Sequence, residues 1–315
     1  MIDFRYHLVS LIAVFLAVAL GIVIGTTQLN GGVLDNLKGQ VSALEQDKRQ
    51  LEDTTDQLQA QQSAGAAFQQ AVAPTLVSGS LAGAGVLLVA TNDDVTTDTV
   101  EEVTALVREA GGEVTGTLRL QPEYSDPATA PALTSYVTGA GLPAGITLPE
   151  TGDAGTLVAT LLADVLMVRP GAAPPPAASI SSVLAGLSAL GVLSVEGSSV
   201  TPAGYAVLLT SGGFRGADAD QRNTTLVQLA AALDAAGSGA VIAGEATSAE
   251  DNGLVGVVRA DPTTSAAVST VDDVDTAAGQ ISTVLALGQE REGTSGKYGS
   301  GQDTQPVPPV PSGTP

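Results

Sequence analysis

Asp272, Asp273 and Asp275 place three carboxylates within a four-residue stretch. An all-oxygen ligand set of this kind suits a hard cation such as Ca²⁺ or Mg²⁺ better than Cu(I). The plainer role for these residues is to cap and electrostatically favour a helix expected over Thr276–Gln289, whose inward face carries Ile281, Val284 and Leu285. A second acidic pair, Asp93 and Asp94, follows Thr91 and Asn92 directly after an apolar run. It is placed to face a cation, a partner or simply water.

The rest of the chemical inventory is narrow. The sequence has no Cys, its one His is His7, and its two Met residues are Met1 and Met167. No Ser-His-Asp triad, thiolate nucleophile or histidine metal cluster can be assembled from this set. Lys38, Lys48 and Lys297 all lie outside a G-x-x-x-x-G-K-[ST] pattern, which removes the P-loop. No catalytic residue and no bound cofactor are therefore expected, and the chain reads as a non-enzyme. With 33 acidic against 12 basic residues, the formal charge of -21 also excludes nucleic acid as a partner.

Short apolar runs alternating with helical patterns must position these groups. Gly85–Ala90, Glu113–Leu120, Tyr205–Thr210 and Ala240–Ala243 read as strands. Between the first two, Val100, Val103, Leu106, Val107 and Ala110 form one helical face, with Asp98 and Glu101 spaced as a capping box and Gly111-Gly112 as the stop. Between the last two, Asn223–Ala236 reads as a helix with Leu226, Leu229 and Leu233 inward. Continuous rather than alternating strands, interleaved with helices, indicate a mostly parallel, Rossmann-like sheet covered on both faces. The glycines of Gly83-Ala84-Gly85 lead into the first strand instead of following it, so a dinucleotide loop is not expected. A membrane β-barrel is disfavoured as well, since it needs longer alternating strands and an aromatic girdle, and aromatics make up only 3% of the chain.

The amino-terminal run Leu8–Gly25 carries no charge. At 1.5 Å per residue it spans about 27 Å, close to a bilayer core. A buried core helix, a signal peptide cleaved after Ala17-Val18-Ala19 and a retained anchor all compete here. Continuation of the apolar run to Ile24 favours the anchor. Arg5 precedes the run and the next basic residue is Lys38, which favours a cytoplasmic N-terminus and an external body. Ala13, Ala17, Gly21 and Gly25 recur every fourth residue, a stripe that lets helices pack closely in lipid.

After an expected break at Asn30-Gly31-Gly32, a heptad places Leu34, Val41, Lys48 and Thr55 at a, and Leu37, Leu44, Leu51 and Leu58 at d. This predicts a parallel, homodimeric coiled-coil stalk about 40 Å long, with Lys48 restricting register; a single amphipathic helix is the alternative. The proline-rich Arg169–Ser179 reads as a loop or link, and the end of the chain as an extended tail. The expected organisation is α/β with a single N-terminal transmembrane helix: residues 1–30 as stub and membrane helix, 33–72 as stalk, 81–292 as extracytoplasmic domain and 293–315 as disordered tail.

The opening MIDFRYHLVSLIAVFLAVALGIVIG, with the later STVDDVDTAAGQISTVLAL and Gly296-Lys297-Tyr298-Gly299, resembles the actinobacterial MctB-like proteins over essentially the whole chain. That resemblance implies a cell-envelope protein of copper transport or copper homeostasis, sometimes described as an outer-membrane channel. Related SteB-like members are linked to cell separation, acting with a SteA-like membrane partner on a peptidoglycan hydrolase.

Overall fold

Helix α1 (Phe4–Val77) runs through 74 residues without interruption. The computed structural model describes residues 4–139, 142–169, 171–197 and 199–310, the side chains of 26–34 excepted. By internal contacts the chain divides into two units, Met1–Gly65 and Ala66–Pro315.

In the first unit, Phe4–Gly25 is a 22-residue apolar stretch with mean hydropathy 2.9, none of it buried. The stripe of Ala13, Ala17, Gly21 and Gly25 lies on this helix, and a Cβ built at Gly21 or Gly25 meets nothing within 4 Å. The expected break at Asn30-Gly31-Gly32 is corrected, because helical backbone continues across it. Each glycine costs a helix only about 1 kcal/mol relative to alanine, which is a weak stop without a left-handed cap. The boundary drawn between 30 and 33 thus falls inside one helix. The side chain of Leu34 lies outside the described residues. Further along, Leu37, Leu44, Leu51 and Leu58 are 58%, 69%, 68% and 60% exposed in the single chain. Lys48 pairs with Glu52 at 3.4 Å, an exposed i,i+4 contact of little energetic weight.

The second unit is built on β1 (Gly85–Ala90), α2 (Thr97–Glu109), β2 (Glu113–Leu120), α3 (Ala130–Val137), α4 (Ala154–Leu166), α5 (Ala177–Ala189) and β3 (Leu193–Glu196). There follow β4 (Tyr205–Thr210), α6 (Ala219–Ala236), β5 (Ala240–Gly244), α7 (Leu254–Ala260), α8 (Pro262–Ala267), β6 (Ser269–Val271), α9 (Ala277–Arg291) and β7 (Lys297–Tyr298). The sheet order is β3-β2-β1-β4-β5-β6-β7, and every pairing is parallel except β2 with β3.

Both faces of this sheet are covered, which is why its central strands are apolar at consecutive positions. Leu87, Val89, Leu208 and Ile242 pack in the cluster that contains α3 to α7. Val86, Leu88, Leu209 and Val241 pack in the cluster of α2, α9 and the end of α1 at Ala73 and Val77. The inward faces expected for α2, α6 and α9 are buried as read. Gly111, at φ 85°, terminates α2 in the left-handed conformation that glycine alone adopts without strain. The N-cap of α2 is not Asp98 but Thr96, whose Oγ1 accepts from the N–H of Thr99 at 3.2 Å. The threonine sits at the residue where the backbone is still extended, as a cap must.

The carboxyl-terminal segment departs from expectation. Lys297 and Tyr298 pair with Thr270 and Val271 as an edge strand, and the Gln289 side-chain amide donates to Pro309 O at 3.4 Å. A disordered tail starting at 293 is therefore corrected for residues 297–310; residues 311–315 lie outside the described part. The open edge of β6 offers ladder partners that composition alone does not reveal.

Candidate functional site

The strand order reverses direction between β1 and β4, and connections leave those two strands toward opposite ends of the sheet. Such a reversal leaves a crevice beyond the carboxyl ends of the strands, where ligands of open α/β sheets bind. A cleft of about 640 Å³ lies there, between the segments that follow β1, β4 and β5. Thr91, Asn92, Asp93 and Asp94, singled out from sequence, all line it. Sequence reasoning missed the opposite wall, Ser211 to Arg215, together with Asn223 and Asn252. The signal was available in the glycines after β4: Gly212 and Gly216 have φ of 64° and 106°.

Hydrogen bonds fix both walls. The Asn92 Nδ2 donates to Ser211 O at 2.7 Å, joining one strand-end loop to the other. Behind it, Arg119 of β2 donates from Nη1 to Val95 O at 2.9 Å and Asn92 O at 3.3 Å, and from Nε to Glu196 at 2.7 Å. Asn223 Nδ2 donates to Asn252 O at 2.8 Å, and Asn252 Nδ2 to Phe214 O at 2.9 Å. Arg222 is held by Asp218 at 2.7 Å, Asp126 at 3.2 Å and Pro122 O at 3.0 Å. Its guanidinium lies 5.8 Å from the centre of the Phe214 ring. Asp93 and Asp94 stay exposed at the rim.

The 272–275 cluster has a different job. Asp272 is 1% exposed and accepts from Arg259 Nη1 at 2.5 Å, Ser300 N at 2.7 Å and Gly301 N at 3.1 Å. Asp273 accepts from the Thr276 hydroxyl through its backbone carbonyl, and Thr276 is the cap of α9. Burial, reinforced by Asp272 and Asp275, pushes the Asp273 carboxyl up to about 6. Asp275 points to solvent. Among the described residues no group of three or more His, Cys, Asp or Glu side chains is arranged to hold a metal ion.

Comparison with known proteins places this architecture. The family model described as "Copper transport outer membrane protein, MctB" matches residues 1–309. The chain belongs to the MctB family. It is 34% identical over 311 residues to the Copper transporter MctB of Mycobacterium bovis and to that of Mycobacterium tuberculosis, covering 98% of this chain and 99% of each relative. The Mycobacterium leprae protein of the same name is 34% identical over 308 residues, covering 96% and 97% of the two chains.

Copper as cargo can be weighed against the donors this MctB-family chain offers. Thiolate, thioether and imidazole are the soft or borderline ligands that copper prefers. His7 lies in α1, and Met167 is buried at the end of α4, 4% exposed. The cleft at the strand ends is lined instead by hydroxyls, amides, carboxylates and arginines. That donor set does not fit Cu(I).

Proposed function

We propose that this chain serves copper homeostasis as a membrane-anchored, non-catalytic scaffold of the cell envelope, with its N-terminus cytoplasmic and its α/β body outside. The observation that carries this reading is the 22-residue apolar stretch of α1, which finds no cover in the protein itself. Leu8, Ile12 and Phe15 are 50%, 53% and 67% exposed. Apolar surface on this scale is favourable only in lipid or against another apolar helix.

The exposed heptad leucines favour a second copy of the same chain as the neighbour of the stalk. Leucines seven residues apart form a narrow seam, suited to a partner helix, and two copies leaving one membrane in parallel bring identical seams together. Ala13, Ala17, Gly21 and Gly25 would continue the contact within lipid. A copper pore made by the body is disfavoured, because an open α/β sheet with polar loops has no lipid-facing girdle.

The test combines cells and bilayers. Cells that depend on this chain for copper balance should be restored by the full chain, and not by a form that begins at residue 26. Purified full chain should give no ohmic steps in planar bilayers. Restoration by the shortened form would remove the anchor from the function, and ohmic steps would replace the scaffold with a channel.

A further inference from the structure

The cleft at the carboxyl ends of β1 and β4 contains polar atoms that the protein leaves unsatisfied. Thr91 Oγ1, Asn92 Oδ1 and Asn223 Oδ1 are buried and have no hydrogen-bond partner among the described residues. Thr91 is 5% exposed and Asn223 fully buried, and both line the cleft. A buried oxygen without a partner costs roughly 1–3 kcal/mol, so three around one cleft call for a common explanation. The two amides are oriented by their donors: Asn92 Nδ2 bonds to Ser211 O and Asn223 Nδ2 to Asn252 O. Their oxygens are consequently acceptors that require a donor from outside the protein.

That requirement selects the ligand class. A phosphate or carboxylate brings acceptors where donors are needed, and Asp93, Asp94 and Glu250 around the same cleft would repel it. Arg222, half-buried in the cleft wall, is already committed to Asp218 and Asp126, and the one exposed arginine of the lining, Arg215, is outnumbered by those three carboxylates. A metal ion would need converging carboxylates, which the described residues do not provide. A neutral molecule carrying several hydroxyls supplies donors to the amide oxygens, and its hydroxyl oxygens accept in turn. The half-buried Phe214 adds an apolar surface for the C–H face of a ring.

We propose that this cleft binds a neutral, hydroxyl-rich ligand of saccharide type, held by Thr91, Asn92 and Asn223. The site lies within residues 91–254 and is independent of the membrane anchor, so its failure would leave the scaffold reading standing.

Ligand-observed saturation-transfer NMR on the full chain in nanodiscs tests it, with methyl β-glucopyranoside and N-acetylglucosamine as probes and inorganic phosphate and putrescine as comparators. The sugars should receive saturation, whereas phosphate titrated by calorimetry and putrescine should not bind. Thr91→Val, which keeps the shape and removes the hydroxyl, should weaken sugar binding about tenfold, and Thr91→Ser should retain it. Without ligand, Thr91→Val should melt about 2–4 °C higher, since an unsatisfied buried hydroxyl is gone. Transfer to neither sugar, equal binding by Thr91→Val, or preferential binding of phosphate or putrescine overturns the proposal.

Discussion

Arg259 of α7 and Asp272 at the end of β6 form an ion pair at 2.5 Å, with side chains 11% and 1% exposed. The pair does more than join two elements. Arg259 also donates to Thr270 Oγ1 at 2.9 Å and Tyr298 O at 2.8 Å, while Asp272 receives the N–H groups of Ser300 and Gly301. These contacts hold the carboxyl-terminal strand on the sheet edge.

Removing one partner of a buried pair leaves an uncompensated charge. Asp272→Ala should therefore lower stability by about 3–5 kcal/mol in urea titrations. Amide exchange should rise first at residues 297–301. Exchange that rises uniformly across the body would contradict a local clasp.

Glu290 should make the body less stable as pH rises. It is 6% exposed, and burial pushes its carboxyl up to about 7, against hydrogen bonds from Ser269 that favour ionisation. A carboxyl raised in the folded state binds its proton more tightly there than in the unfolded chain. The associated stability is complete below about pH 4.5 and is lost as pH climbs through about 7. Asp273 acts with the same sign between about 3.8 and about 6. Melting followed by circular dichroism should show a fall of a few degrees from about pH 5 to about pH 8. Glu290→Gln should flatten that slope.

Arg119 reaches from β2 to the carbonyls of Asn92 and Val95. Arg119→Met keeps much of the aliphatic stem but leaves those acceptors without the guanidinium. Stability should drop by about 1–3 kcal/mol, with amide exchange rising in residues 91–96 ahead of the rest of the sheet. Unchanged exchange there would mean that the Asn92 bond to Ser211 O holds the loop alone.

Leu44 lies on the exposed heptad row of α1, 69% exposed in the single chain. Leu44→Pro removes a seam side chain and an interior helical hydrogen bond together, at a cost of about 3 kcal/mol or more. Crosslinking in membranes should lose its dimer band. A dimer yield equal to that of the unaltered chain would rule out the stalk as the dimer contact.

The central sheet was legible because strands buried on both faces are apolar without interruption. Gly85–Ala90 and Tyr205–Thr210 stand as read on that ground; Glu113–Leu120 also stands as read, although its sequence EVTGTLRL is mixed and only Gly116, Leu118 and Leu120 are buried. Helix α4 was not: Ala154–Leu166 is buried on all but one narrow stripe, Thr156, Thr160 and Asp164, whose two threonines stand out little from the apolar run around them. The short strands Ser269–Val271 and Lys297–Tyr298, the second at the sheet edge, owe their existence to pairing across the sheet, and local sequence cannot report it. One wall of the cleft was visible in Thr91–Asp94. The glycines after β4 marked a loop, but setting it opposite the first wall required knowing that β4 lies beside β1, a long-range fact of topology. Asp272 looked like a ligand or a cap, and its partner Arg259 emerged only with the fold.

Protease shaving of intact spheroplasts, read with tags at both ends of the chain, tests the anchored arrangement most directly. The expected result is loss of the C-terminal tag while the N-terminal tag survives on a short, membrane-protected fragment. Protection of the C-terminal tag until the spheroplasts are lysed, or recovery of the whole chain in the supernatant, would contradict it.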